Sequence, residues 1–490
     1  MKKVYILLLS LLSVGKIIAQ EDEQNMSFEE FSKRASANFS MFEEEQELKM
    51  DEMRRKANEE LSRMMGQPWE SFETQKSIEK VKVPEPPKPT IKTNDYYNYE
   101  EELEFEIIIP MPEKYEMPEP MNPIVKPEQT SNIFFDFSYY NTPCRVEIYN
   151  DIDFSINDLS EKTVSKTWSD LASAKTDILI ADCLKLRSEL QLCDWGYLTM
   201  LDTLCNNLFP QKSNEAVLLK MYILTQSGYN VRIAKSENKL VILLPTREIM
   251  YNYSYVNIDG EKYYVLDNDN NSSYSVFNYA FPKEKTSSLC VNSTPKLWGK
   301  NSSAKKFVSQ KYSQIAIEVS VNKNLIEFYN QYPQSNWNNY VEASLSEDIK
   351  RTLYPKLRQN IEGMSQEDAA NILIDFVQTA FDYKTDDEQF GYERPLFGDE
   401  IFFYPYSDCE DRSILFAILV QELLNLDVVL LNYPGHLATA VHFTENINGD
   451  YMTIDNKKYL VCDPTYIGAS IGDAMPQYET IAAKIIEIKH

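Results

Sequence analysis

The chain has 490 residues, enough for roughly two to four domains. Its formal charge of −26, from 49 Lys and Arg against 75 Asp and Glu, argues against nucleic acid and anionic membrane surfaces as partners, because both repel an acidic protein. It has only 13 glycines and neither a G-x-G-x-x-G nor a G-x-x-x-x-G-K-[ST] motif, which excludes the common dinucleotide and P-loop sites.

Residues 1–19 have the features of a secretory signal peptide. Lys2 and Lys3 precede an apolar run from Val4 to Val14, and Ala19 provides a small residue before the cleavage site. The run is shorter than the ~20 apolar residues that a spanning helix needs. We therefore expect a secreted protein, periplasmic in a Gram-negative bacterium, with no integral membrane segment.

Residues 20–80 are predicted to be helical and amphipathic. Ser27 and Glu30 can form a capping box, and apolar residues then recur at intervals of three and four. The pattern favours a helix or hairpin that packs on the protein's own body, and an arm that binds a partner stays open.

Residues 81–130 are predicted to be a proline-rich acidic linker. Ten of the 23 prolines lie in 84–127, and the segment offers at most one strand, Leu103 to Ile109. Because such a linker has little apolar surface to pack, we expect residues 20–130 to be dispensable for the chemistry of the remaining chain.

The rest of the chain contains two copies of one pattern, 131–300 and 301–490. The apolar helix and strand predicted at 217–231 resemble those at 414–428, and the hairpin predicted at 258–267 resembles the one at 454–463, at nearly the same offset in the numbering. We therefore predict an α+β fold of tandem units, each with a core helix packed on an antiparallel sheet. The second unit is predicted to open with two strands, Ile315 to Val321 and Leu325 to Tyr329.

Seven cysteines are present, an odd number, so at least one has no partner within the chain. The sequence does not decide between disulfides and buried thiols for the others.

Cys409 lies directly before the second apolar helix. A capping box formed by Ser407 and Glu410 would place Cys409 in the first helical turn, where the helix dipole favours a thiolate and lowers the thiol pKa. A reactive thiolate needs a proton carrier and a group that orients this carrier. His436 opens a predicted strand downstream, and Asp463 ends another.

The order of these pieces resembles the transglutaminase-like superfamily, in which a Cys opens a helix, a His opens the next strand and an Asp-Pro-Thr ends a following strand. The matching pieces are Asp408-Cys409-Glu410-Asp411, His436 and Asp463-Pro464-Thr465. The resemblance implies that Cys409 is the nucleophile, that His436 shuttles the proton and that Asp463 orients the imidazole, with no cofactor or metal.

Two further choices concern this site. His442 lies on the same strand face as His436, but roughly 20 Å away, so only one of them can reach Cys409; the family position favours His436. The oxyanion of an attacked carbonyl needs hydrogen-bond donors, and Tyr404 or Tyr406 is a weak candidate beside the Cys409 amide.

The first unit is expected to be a degenerate copy. At the spacing of the repeat, Lys212 and Lys239 replace Cys409 and His436, and only Asp267 retains its counterpart. The leading hypothesis is a cysteine peptidase or acyltransferase that acts on a peptide or protein amide. The alternative is a non-catalytic scaffold or binding module of the same fold. The sequence leaves open the substrate, the choice between hydrolysis and transamidation, the oligomeric state and the role of the N-terminal helix.

Overall fold

The computed structural model describes residues 28–79, 91–92, 100–111, 114–124, 132–149, 152–266 and 271–488. The predicted signal peptide and Ser27 lie outside these residues. The chain divides into two compact units, residues 1–59 and 60–490. In the described part, no helix combines the length and the apolar character needed to cross a bilayer.

The fold mixes helices and strands, as expected for the α+β class. The helices are α1 Phe28–Met65, α2 Glu161–Ser173, α3 Asp177–Glu189, α4 Asp194–Leu208, α5 Ser213–Gln226, α6 Lys323–Asn330, α7 Trp337–Glu342, α8 Glu347–Ile361, α9 Gln366–Thr379, α10 Asp386–Gln389, α11 Gly398–Phe403 and α12 Cys409–Leu424. The strands are β1 Glu70–Gln75, β2 Phe105–Ile109, β3 Phe134–Tyr139, β4 Thr142–Glu147, β5 Arg232–Ser236, β6 Lys239–Pro245, β7 Tyr255–Ile258, β8 Glu261–Val265, β9 Ser273–Phe277, β10 Lys305–Val308, β11 Ala316–Val319, β12 Asp382–Tyr383, β13 Tyr406–Ser407, β14 Asp427–Tyr433, β15 His436–His442, β16 Tyr451–Ile454, β17 Lys457–Cys462 and β18 Ala483–Glu487.

Of the compact unit 1–59, the structure describes residues 28–59, which are helical throughout and belong to α1. Met41, Phe42 and Leu48 are exposed on this helix. An i, i+4 ion pair joins Lys49 to Glu45, of the kind that stabilises a solvated helix surface.

The first sheet within residues 60–490 is a closed barrel in the order β1-β7-β8-β6-β5-β9. Strand β1 closes it, because Phe72 pairs with Tyr274 of β9 and Thr74 pairs with Val256 of β7. Helix α5 packs on β6. The barrel interior is apolar, with Val241 and Val276 among its buried residues.

The second sheet has the order β16-β17-β15-β14-β18-β2. Helix α12 packs on β14 and β15, and α9 packs on the outer side of α12. Residues 409–420 of α12 are all buried, which agrees with the uninterrupted apolar run 414–420 of this helix. One core cluster of this half includes Leu431, Ala440 and Ile485.

The two sheets share one strand order and one register. The order β7-β8-β6-β5-β9 matches β16-β17-β15-β14-β18, and each series follows a buried helix. Ser236 pairs with Lys239 in the first sheet, and Tyr433 pairs with His436 at the corresponding position of the second. The repeated pattern of the sequence is therefore matched by repeated topology.

The proline-rich segment contributes more than the predicted linker. Strand β2 pairs with β18 in parallel, matching Ile107 with Lys484. Just before it, the backbone N–H of Leu103 donates to the carbonyl of Tyr451 at the opposite sheet edge, at 2.7 Å. The strand expected at Leu103 to Ile109 is confirmed as β2. Because β1 belongs to the barrel and β2 to the second sheet, the expectation of little packing in 20–130 is wrong.

The predicted strand Leu325 to Tyr329 is also wrong, because these residues belong to helix α6. The Asn322 side chain caps that helix by accepting from the N–H of Asn324 at 3.0 Å. Leu325, Ile326, Phe328 and Tyr329 are buried at helical spacing.

All seven cysteines carry free thiols and are buried.

Candidate active site

Cys409 is the first residue of α12, so its predicted place at a helix start is confirmed. The capping residues lie one position later than the sequence suggested. Asp408 is the N-cap, and its N–H donates to the Asp411 carboxylate at 3.3 Å. The N–H groups of a first helical turn have no acceptors within the helix, and the Asp408 side chain accepts from that of Asp411.

His436 and Asp463 form the best-defined contact of the site. His436 opens β15, and Asp463 follows the last residue of the neighbouring strand β17. Nε2 of His436 lies 2.7 Å from Oδ2 of Asp463, and the other carboxylate oxygen accepts from the N–H of Thr465 at 2.8 Å. Both side chains are buried, so the carboxylate fixes the orientation of the imidazole. Nδ1 of His436 is buried and has no hydrogen-bond partner among the described residues.

Leu437, the residue after His436, ties the start of β15 to α12. Its carbonyl accepts from Ser413 Oγ at 2.8 Å. Cys409 begins the helix that packs on β15, His436 begins β15, and Asp463 follows the neighbouring strand β17. The thiol donates to Glu410 Oε2 at 3.1 Å, and no hydrogen bond joins it to His436 in this conformation.

The pKa of the Cys409 thiol is shifted in the direction opposite to the sequence-based expectation. Burial, the carboxylates of Glu410 and Asp408, and the thiol's bond to Glu410 raise the pKa of the Cys409 thiol well above its ordinary range. Burial in an apolar environment disfavours the thiolate, and two nearby carboxylates repel it. The predicted lowering of this pKa by the helix start is therefore wrong for the closed site.

Several carboxyl groups surround this turn. Burial and mutual repulsion raise the pKa values of Asp386, Asp408 and Asp411. One carboxylate oxygen each from Asp386, Asp408 and Glu410 lies within 4.8 Å of the others, a spacing that a hard cation could bridge. A cluster of acids alone does not identify a cation site, and we assign no metal to it.

The Tyr404 hydroxyl, a predicted oxyanion donor, donates to Asn330 at 2.7 Å, and Lys384 Nζ lies 4.1 Å from the ring centroid of Tyr406. The oxyanion role of Tyr406 stays a prediction. Tyr383 is a further tyrosine that interacts electrostatically with the thiol. It pairs with Ser407 across β12 and β13, and its pKa is raised by burial and then by the charge of Cys409. Sequence reasoning missed Tyr383 because it is distant from Cys409 along the chain and lies in a strand too short to give a pattern.

The site is closed to solvent. Cys409 is 2% exposed, His436 3% and Asp463 2%. Tyr478 stacks on the imidazole of His436 with ring centroids 4.8 Å apart, and burial raises the Tyr478 pKa to about 12. Any molecule that reaches the thiol must therefore displace part of this cover.

The other predicted positions lie away from this centre. His442, at the far end of β15, hydrogen-bonds the Lys458 carbonyl through Nδ1 at 2.9 Å. In the first half, Lys212 is the N-cap of α5, one position before the helix start that Cys409 occupies in α12, and Lys239 opens β6 as His436 opens β15. Asp267 and His490 lie outside the described residues.

Comparison with known proteins finds no family model, no curated protein and no solved structure that matches this chain.

Proposed function

We propose that this protein is a secreted or periplasmic cysteine acyl-transfer enzyme that cleaves a peptide or protein amide, with tandem transglutaminase-like units of which the second is active. The observation that carries the proposal is the buried His436–Asp463 pair beside a cysteine at a helix start. The repeated strand order and register support the tandem arrangement.

The reaction begins when the Cys409 proton passes to Nδ1 of His436 and the sulfur attacks the amide carbonyl. Asp463 stabilises the resulting imidazolium through Nε2. The Cys409 backbone N–H holds the oxyanion, and the imidazolium protonates the departing amine, leaving a thioester on Cys409. His436 then takes a proton from water, which attacks the thioester and releases the acid. An amine in place of water gives transamidation.

The thiol bond to Glu410 identifies the closed structure as a resting state in this proposal. A rotation about the Cα–Cβ bond of Cys409 moves the sulfur from Glu410 toward His436. Catalytic hydrogen bonds are often completed only in the substrate complex.

The alternative function is a non-catalytic scaffold of the same fold. It is favoured by two observations: the closed site and the raised pKa of the Cys409 thiol. A scaffold has no need for substrate access or for a reactive thiolate.

Turnover of peptides tests the two candidates. The full chain is incubated with a peptide library, alone and with a primary amine, and new termini or amine adducts are identified by mass spectrometry. We expect Cys409→Ser, His436→Ala and Asp463→Asn each to lower turnover by about 10³-fold or more, since each removes one step of the mechanism.

His442→Ala is the matched control, because it removes a histidine from the same strand without touching the site. It should retain turnover. Full turnover by His436→Ala would overturn the assignment of His436 as the proton carrier, and no product from the unmodified protein under any condition would favour the scaffold.

A further inference from the structure

The amide side chain of Gln378 holds the loop that carries Asp463. Gln378 is the penultimate residue of α9 and is 2% exposed. Its Nε2 lies within hydrogen-bond distance of the carbonyls of Asp463, Tyr466 and Ala469, at 3.2, 2.8 and 3.2 Å, and its two hydrogens are shared among these three acceptors. Its Oε1 accepts from the N–H of Gly468 at 3.1 Å. One buried side chain thus contacts four backbone groups of residues 463–469.

The backbone of the same residue is tied to the turn that carries the thiol. Arg412, in the first turn of α12, donates from Nη1 to the Gln378 carbonyl at 3.2 Å and from Nη2 to the Phe381 carbonyl at 2.7 Å. Its Nε donates to Ser407 Oγ at 3.3 Å. Carbonyls at a helix C-terminus lack partners within the helix, and a cation there is stabilising.

Gln378 therefore connects the two halves of the site. The Cys409 turn is fixed to the end of α9 through Arg412, and the Asp463 loop is fixed to the same point through the Gln378 amide. The Asp463 carboxylate uses its own oxygens for His436 and Thr465, so its position relative to α12 depends on what holds its backbone.

We propose that Gln378 is a positioning residue that keeps the His436–Asp463 pair aligned with Cys409. The proposal rests on the proposed function. Loss of the amide removes the one described donor to the Ala469 carbonyl. The carbonyls of Asp463 and Tyr466 keep only the N–H groups of Tyr466 and Ala469 as donors, so the loop is held less firmly against α9. A displacement of about 1 Å in a catalytic group can slow a reaction by about 100-fold.

Gln378→Met tests this role, because methionine has a similar length but no hydrogen-bonding amide. In the full chain labelled with ¹⁵N-histidine, we expect the variant to lose the downfield Nε2–H proton signal of His436. We expect the rate of Cys409 alkylation by iodoacetamide, measured across pH by peptide mapping, to fall by about 10- to 100-fold.

Gln366→Met is the matched control. Gln366 opens the same helix and holds another loop in a similar way, since its Nε2 donates to Thr444 Oγ1 at 2.8 Å and its Oε1 accepts from the N–H of Thr444 at 2.9 Å. This variant should keep both the His436 signal and the pH profile of alkylation. Gln378→Glu, which keeps the acceptor but loses the donors, replaces Gln378→Met if that variant fails to fold.

An unchanged His436 signal and pH profile in the Gln378 variants would overturn the proposal, as would equal losses in Gln366→Met. These outcomes differ from failure of the proposed function. In that case the unmodified protein turns over no peptide, while its His436 signal still reports whether Gln378 aligns the pair.

Discussion

The thiol of Cys409 experiences two opposing influences. The free N–H groups of the first turn of α12 favour a thiolate, whereas burial and the carboxylate of Glu410 favour the neutral thiol. The sequence predicted the first influence from the position of Cys409 before an apolar helix. It did not predict the second, because the depth of burial does not follow from local sequence and Glu410 was assigned to the capping box.

Replacing Glu410 by glutamine should make the Cys409 thiol more acidic. The change removes a negative charge and the carboxylate that accepts a hydrogen bond from the Cys409 thiol, with Sγ and Oε2 3.1 Å apart. Because a carboxylate disfavours a nearby thiolate, its removal lowers the pKa, and the alkylation profile moves to lower pH. A shift of about one pKa unit makes labelling near neutral pH about tenfold faster. The pH dependence of iodoacetamide labelling at Cys409 measures this shift.

Glu388→Gln is the control for this experiment. Glu388 is an exposed residue of α10, close in sequence to the buried Asp386 but without a contact to the thiol. Its replacement should leave the profile unchanged. A profile for Glu410→Gln that stays in place or moves to higher pH would show that Glu410 does not hold the thiol in its neutral form.

Elements with a strong local pattern could be predicted from the sequence, and elements defined by distant partners could not. The pairing of Tyr433 with His436 follows from a turn between two apolar runs, and its counterpart in the first sheet has the same register. Helix α6 was predicted as a strand, because a short apolar run does not distinguish a strand from a helix. Its Asn322 cap was the overlooked signal.

The turn at 476–482 is the element that closes the site. Its residues are exposed or half-buried except Tyr478, whose ring packs on the imidazole of His436 and on Tyr433. The hydrogen bonds described within it are local, from the Tyr478 N–H to Met475 and from the Ile481 N–H to Tyr478. Few buried contacts and local backbone bonds are typical of segments that open at low free-energy cost.

Tyr478→Ala should therefore expose the thiol. We expect labelling of Cys409 by a bulky maleimide to be about tenfold faster or more, since removing the ring uncovers a buried group and lowers the cost of opening by about 1.4 kcal/mol or more. Tyr459→Ala is the matched control, because Tyr459 packs on His442 with centroids 5.4 Å apart. Equal labelling of Tyr478→Ala and the unmodified protein would mean that access is controlled elsewhere.

At the scale of the whole molecule, the N-terminal segment completes both sheets. β1 bonds to two strands of the barrel, and residues 101–109 reach both edges of the second sheet. The sequence indicated the strand at Leu103 to Ile109 but not its place in a sheet. The proline content of 84–127 suggested a linker, β2 is half-exposed, and its partner β18 is the last strand of the described chain, far beyond the reach of any local pattern.

A protein that begins at residue 130 should consequently fail to fold, whereas one that begins at residue 60 should fold and label at Cys409. The shorter protein loses β1 and β2 and leaves unpaired strand edges in both sheets, which promote aggregation. Each lost backbone hydrogen bond costs about 0.5–1.5 kcal/mol, against a typical total stability of about 5–15 kcal/mol. The longer protein keeps both strands and the buried Leu61 and Met65 at the end of α1.

Circular dichroism and thermal unfolding of the two proteins measure the difference. A cooperative unfolding transition in the protein that begins at residue 130, at a temperature within a few degrees of the longer one, would contradict the assignment of β1 and β2 as essential strands and restore the interpretation of residues 81–130 as a linker.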